Sequence, residues 1–206
     1  MTVDRERTRA AIAELIDAWG LAADPRLERT ADRVADASAE LLAGEGIDPV
    51  PALREGRIPA ADSDLVLVRN IRFSSMCEHH LLPFDGWIHL AYLPGSWITG
   101  FGRIHILVAT CTARLALQER IGEQLVDALM TGLDARGALA VVEARQNCVA
   151  ARGPKQRDSD AVSVAARGTL LAGDERAEAF RLIALGGTDR DSAADAAEPT
   201  AREELL

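Results

Sequence analysis

Apolar and polar positions alternate along this chain in a way that predicts helices at its start, strands through its middle and a further mix beyond. Ile12, Leu15, Ile16 and Trp19 recur at helical spacing across residues 5–19, and Asp24-Pro25 closes that run. A second helix is predicted from about Thr30, a good N-cap, through Val34, Ala37, Leu41 and Leu42 to Gly44. Asp48-Pro49-Val50-Pro51 and the polar stretch to Ser63 read as a linker. Strand character begins at Asp64, with Leu65-Val66-Leu67-Val68 and Ile71-Arg72-Phe73. Asp85-Gly86 reads as a turn, residues 87–93 as the next strand, and residues 98–103 as another short one. From about His105 to Asp134 the period becomes helical, as two helices or one bent one, with an apolar stripe at Leu125, Leu129 and Leu133. Residues 138–150 return to strand, residues 159–171 are its expected hairpin partner, and residues 175–185 are expected to form a short helix.

This order predicts an α+β fold with an antiparallel sheet and segregated helices. The expected division is an N-terminal helical region and linker over residues 1–63, the main domain over 64–185, and a polar, Ala-rich, disordered tail over 186–206. A chain of 206 residues, nearly half of them apolar, can bury a sizeable core.

Charge and cysteine count narrow the function. Lys plus Arg total 23 against 32 Asp plus Glu, a net charge of −9, which argues against nonspecific nucleic-acid binding. A small anionic ligand in a local basic pocket remains compatible with that balance. Three cysteines and no apolar leader argue against a secreted disulfide scaffold. No apolar run approaches the roughly 18 residues of a membrane span, so no membrane partner and a cytoplasmic location are expected.

The chemistry concentrates at Cys77-Glu78-His79-His80 and at Cys148. Cys77, His80 and Cys148 together make a three-ligand zinc site with one open position, the arrangement of catalytic rather than structural zinc. His79 then stands beside the metal as a candidate proton carrier. On spacing alone, the same residues read equally well as two buried thiols and histidines capping a loop. Cys111 falls in an apolar helical pattern and reads as a small core residue. His89 and His105 are isolated and read as structural or surface residues.

Several segments, in order, resemble the GTP cyclohydrolase I family. They are Thr30-Ala31-Asp32-Arg33-Val34-Ala35, Cys77-Glu78-His79-His80-Leu81 with Asp85-Gly86, Tyr92-Leu93-Pro94, Gly100-Phe101-Gly102-Arg103-Ile104, Leu117-Gln118-Glu119-Arg120 and Cys148-Val149-Ala150-Ala151-Arg152-Gly153. The likeness covers about residues 5–185. It implies the tunnelling fold (T-fold), with paired helices on one sheet face and an N-terminal helical extension. It also implies a homo-oligomeric ring, commonly a decamer, with zinc held by Cys77, His80 and Cys148. The substrate it implies is a guanine nucleotide. Glu119, with Gln118 beside it, would hold the guanine 2-amino and N1–H edge, two donors that suit a carboxylate. His79 matches the histidine that protonates ring nitrogen as the C8 bond opens.

The chain also departs from that pattern. Gln146 stands where the family carries a second active-site histidine, two residues before the last cysteine ligand. In a strand, positions i and i+2 share a face, so Gln146 is expected to point where Cys148 does. Glutamine hydrogen-bonds but does not ionise near pH 7. Arg33 and Arg152 match arginines at or near the triphosphate, and Arg103 replaces a lysine. Gly102 and Ile106 occupy positions of a serine and a second arginine. Arg167 and His105 are the candidates to compensate for those losses. The expectation is a zinc-dependent cyclohydrolase acting on a guanine nucleotide or related purine, with an altered substrate or product. The competing readings are ordinary GTP cyclohydrolase I and a ring-shaped paralogue that binds a purine or pterin without turnover.

Overall fold

A computed structural model describes residues 3–60 and 64–185. The expected tail, residues 186–206, lies outside the described residues.

Two helices open the chain. Asp4 caps α1 (Arg5–Ala18) by accepting from the Arg7 amide. α2 (Thr30–Leu41) starts at Thr30 itself, so the threonine is the first helical residue and Arg29 precedes it without a side-chain cap. Arg5–Asp36 and Arg9–Asp32 ion pairs join the two helices.

The stretch expected as a linker holds α3 (Val50–Arg54) and the short β1 (Ile58–Pro59). Proline is tolerated in a first helical turn, where its missing N–H has no intrahelical partner. Asp48 accepts from the Val50 amide at 3.0 Å and fixes that turn. Leu53 is fully buried in the main core, and its side chain lies against Gly132, where a β-carbon would sit 3.0 Å from Leu53 atoms.

β2 (Val66–Cys77), β3 (Pro83–Leu93), β6 (Gly137–Gln146) and β7 (Ala161–Gly168) form an antiparallel sheet. β5 (Leu115–Ala116) adds to it parallel to β2, giving the order β5-β2-β3-β6-β7. β4 (Trp97–Ile98) pairs with β1 apart from it. Asp85-Gly86, expected as a turn, lies inside β3 opposite Arg145 and Ala144. Glycine is required there because the β6 backbone passes so close that a β-carbon would overlap the Glu143 carbonyl.

The two sheet faces are covered differently. Phe84, Ile88, Leu90 and Tyr92 of β3 face α4 (Phe101–Thr112) and α5 (Gln118–Leu133), and share one core with Ile104, Leu107, Ile121, Leu125 and Leu129. The helical region expected from His105 is thus two helices. Residues 98–103, expected as a strand, hold only the end of β4 and then the first turn of α4, which Gly100 opens in extended conformation. The alternate β3 positions, Ala91 and Leu93, pack with Leu139, Val141 and Leu170 beneath Ala179 and Ile183 of α7 (Asp174–Ala184). Paired helices on one face of a mainly antiparallel sheet are the T-fold arrangement that the sequence resemblance implies. None of the described helices is long and apolar enough to cross a membrane.

Candidate metal centre

The hairpin loop between β2 and β3 brings the first two candidate ligands together. The Cys77 amide donates to the Leu82 carbonyl and the Leu81 amide to the Cys77 carbonyl, both at 2.9 Å, so the chain makes one helical turn before re-entering the sheet. Leu81 takes φ 53 to close it. Residues three apart on such a turn face the same way, and Cys77 Sγ lies 3.7 Å from His80 Nδ1.

The third candidate ligand arrives from the far end of β6. The strand expected to run to Ala150 stops at Gln146, and Cys148 sits on a helical turn, α6 (Asn147–Ala150). Asn147 pins that turn by donating to the Pro83 carbonyl at 2.7 Å. The strand rule that placed Gln146 and Cys148 on one face therefore does not apply. Gln146 still lies on the helix side of the sheet, because it continues the series Val142 and Ala144, both buried in the main core.

The ligand atoms of Cys77, His80 and Cys148 all lie within 4.8 Å of one another. A tetrahedral ion with metal–sulfur and metal–nitrogen bonds of about 2.3 and 2.0–2.1 Å separates sulfur from nitrogen by about 3.6 Å. The group therefore fits a metal in both donor chemistry and spacing. Burial, and then the Cys77 sulfur beside it, hold the Cys148 thiol above its ordinary range, while Arg152 pulls the other way. A cation between the sulfurs reverses that balance, since a coordinating thiol gives up its proton.

Around this group the chain places further polar side chains. His79 is well exposed, with its Nε2 3.9 Å from Glu78 Oε1. Glu78 also pairs with Arg120 of α5 at 3.1 Å. That pair ties the loop to the helix, and sequence spacing gave no sign of it. Gln118, the first residue of α5, is buried; its Nε2 donates to the carbonyls of Val142 and Ala161, both at 2.8 Å. Its Oε1 accepts from Gln146 Nε2 at 2.8 Å. Two glutamines 28 positions apart are thus joined, a link visible only once α5 is laid across β6.

Glu119 is exposed and lines a cleft of about 390 Å³ between α5 and β7, together with Glu123, Ser163 and Arg167. The Ser163 hydroxyl beside that cleft is buried with no hydrogen-bond partner among the described residues. Arg120, next to Glu119 in sequence, pairs with Glu78 and not with Glu119. Arg103 pairs with Glu55 at 2.9 Å. Arg33 and Arg152 are exposed, with no ion pair among the described residues. Arg167 pairs with Asp127 at 2.8 Å, and His105 Nδ1 bonds the Phe101 carbonyl. His89 is buried, 3.3 Å from Glu143 Oε1. Cys111 is fully buried, as expected of a core residue, and burial pushes its thiol up to about 12.

Fold and site together define a T-fold protein with a Cys–His–Cys group able to hold a metal at one end of its sheet. The sequence profile of the family "GTP cyclohydrolase I" matches residues 8–184. A GTP cyclohydrolase 1 of Leifsonia xyli is 45% identical over 185 residues, covering 89% of this chain and 97% of that protein. One from Campylobacter lari is 40% identical over 158 residues, 76% and 83% of the two chains. One from Streptococcus pyogenes is 37% identical over 189 residues, 90% and 95%. A solved structure, the archaeosine synthase QueF-Like in the apo form, superposes on 52% of this chain and 97% of its own at 14% identity and a TM-score of 0.44, a likeness too low to build on. The chain belongs to the GTP cyclohydrolase I family, hydrolases that act on cyclic amidine bonds.

Proposed function

We propose that this chain is a zinc-dependent cyclohydrolase that opens the imidazole ring of a guanine nucleotide at C8 and releases a ring-opened product, a formamidopyrimidine or its deformylated form. The observation that carries this reading is the pairing of a convergent Cys77–His80–Cys148 group with a non-ionising Gln146 locked to Gln118.

Zinc in a three-ligand site supplies Lewis acidity and makes a water nucleophilic near neutral pH. In the ring opening, the water oxygen bonds to C8, the C8–N9 bond breaks, and the two protons end on N7 and N9. His79, exposed beside the ligand His80, is the group that delivers a proton to ring nitrogen. Glu119 accepts the 2-amino and N1–H donors of guanine, which adenine does not present as a pair. Conversion to a pterin requires further proton transfers during ribose rearrangement and ring closure. Gln146 can hold a hydrogen bond there but cannot carry a proton as imidazole does.

The anionic end of the substrate is held less fully than the family pattern implies. Arg33 and Arg152 remain available for phosphate. Arg103 and Arg167 are engaged by Glu55 and Asp127, and Gly102 and Ile106 supply no charge. Each lost hydrogen bond to a charged ligand is worth about 1.5–3 kcal/mol. That supports a guanine nucleotide with fewer contacts to a full triphosphate. Assembly into a ring of identical subunits accords with edge strand β7, which carries exposed Val162 and Val164.

Incubation of the zinc-loaded protein with GTP, followed by mass analysis, tests the proposal. The expected product is the nucleotide plus one water, or that species less its formyl group. Efficient formation of dihydroneopterin triphosphate would favour the second reading, ordinary GTP cyclohydrolase I, which the identity to proteins of that name supports. A tight complex with no product over long incubation would favour a binding paralogue.

A further inference from the structure

We infer that Gln118 fixes the orientation of the Gln146 amide, so that the Gln146 carbonyl oxygen stays free for the bound purine and favours a ring that has gained an N–H at the attacked imidazole. This rests on the proposed hydrolysis at C8.

The orientation follows from groups that cannot flip. The carbonyls of Val142 and Ala161 are acceptors only, so the end of Gln118 that meets both must be its NH2. Its other end, Oε1, is then an acceptor, and the Gln146 atom 2.8 Å away must donate. That commits one Gln146 Nε2 hydrogen to Gln118 and leaves Gln146 Oε1 with no hydrogen-bond donor among the described residues. Gln146 is half-buried on the helix side of the sheet, two residues before Cys148.

Chemistry gives that free oxygen a preference. The imidazole of an intact purine shows a lone pair at N7 and no N–H, so a carbonyl oxygen facing it is repelled. Once water has added at C8, N7 carries a proton, and after the C8–N9 bond breaks N9 carries one too. The same oxygen then accepts a hydrogen bond. An interaction made with the hydrated and opened ring but not with the substrate accelerates opening rather than binding. Gln118 never touches substrate in this account. It is a positioning residue that acts through Gln146.

Two guanine nucleotides that cannot undergo the ring opening separate these effects. 8-Oxo-GTP carries an N7–H donor, whereas 7-deaza-GTP has a C–H at that position. On the zinc-loaded protein, the dissociation constant of 7-deaza-GTP divided by that of 8-oxo-GTP is the ratio that reads the donor. The ratio is expected to fall about tenfold in Gln146→Met, one neutral hydrogen bond. It is expected to fall equally in Gln118→Met, and no further in the double variant, because the two act as one unit. A ratio unchanged by Gln146→Met overturns the inference while leaving the proposed function standing. So does a full, independent second drop in the double variant. Wild-type protein that binds neither nucleotide overturns both. Gln146→Met keeps both Gln118 bonds to the backbone and so decides the acceptor role even if Gln118→Met loses its native circular dichroism.

Discussion

Replacing Gln146 with histidine is the perturbation that speaks most directly to why the reaction should stop early. Gln146 is half-buried and donates to Gln118 Oε1 at 2.8 Å. An imidazole at this position can donate one ring N–H to the same oxygen and leave the other nitrogen facing the ligand. The hydrogen bond is kept, and a group that titrates near neutral pH is added. A positioned general acid or base contributes about 10²–10⁴ in rate, or about 3–5 kcal/mol of barrier at 1.36 kcal/mol per tenfold. Gln146→His is therefore expected to raise pterin formation from GTP by about 10²–10⁴, with purine consumption changed far less. The assay is oxidation of the product mixture and fluorescence detection of the pterin, alongside loss of purine absorbance. Unchanged pterin yield in a variant that still opens the ring would refute the reasoning, and would place the block at the phosphate contacts instead.

Three further outcomes follow from particular residues. Cys148→Ser removes one of three metal ligands and is expected to reduce bound zinc well below one per chain. In the unmodified protein, zinc is expected to protect Cys148 from alkylation, and both effects are read by metal analysis and mass spectrometry. Cys111, whose thiol is pushed up to about 12 against an unfolded value near 9, stays protonated in the folded state while the unfolded chain ionises. The unfolded state then binds fewer protons, so stability falls as pH rises from about 9 towards 12, and Cys111→Ala is expected to show a shallower alkaline decline in unfolding midpoint. Leu53→Ala empties a fully buried position between α3 and α5 and should cost about 2–5 kcal/mol by denaturant unfolding, whereas a linker side chain would cost almost nothing.

Much of the architecture was legible because periodicity survives where one face is buried. The stripe at Leu125, Leu129 and Leu133 is fully buried in α5, and Leu65-Val66-Leu67-Val68 does lead through β2 to Cys77. Three misread segments share a cause, which is that glycine and proline mark breaks in the pattern where the fold has none. Gly100 and Gly102 flank the start of α4 and hid a helix whose buried positions, Ile104, Leu107, Val108 and Cys111, keep the expected period. Pro49 and Pro51 belong to the opening of α3. Gly86 permits close strand approach rather than reversing the chain. Within the site, local spacing revealed Cys77 and His80 because they share one turn. The Gln118–Gln146 link and the Glu78–Arg120 pair depend on how α5 crosses the sheet ends, which no local pattern encodes.

The proposed function keeps the hydrolytic half of the family's chemistry and changes the later proton relay. Parallel measurement of purine loss and pterin appearance, on protein of known zinc content turning over GTP, tests it most directly. The expected result is zinc-dependent loss of purine absorbance with pterin formed at least about a hundredfold more slowly, on the scale of one missing acid–base group. Pterin appearing in step with purine loss would contradict it, and so would purine loss that continues undiminished without zinc.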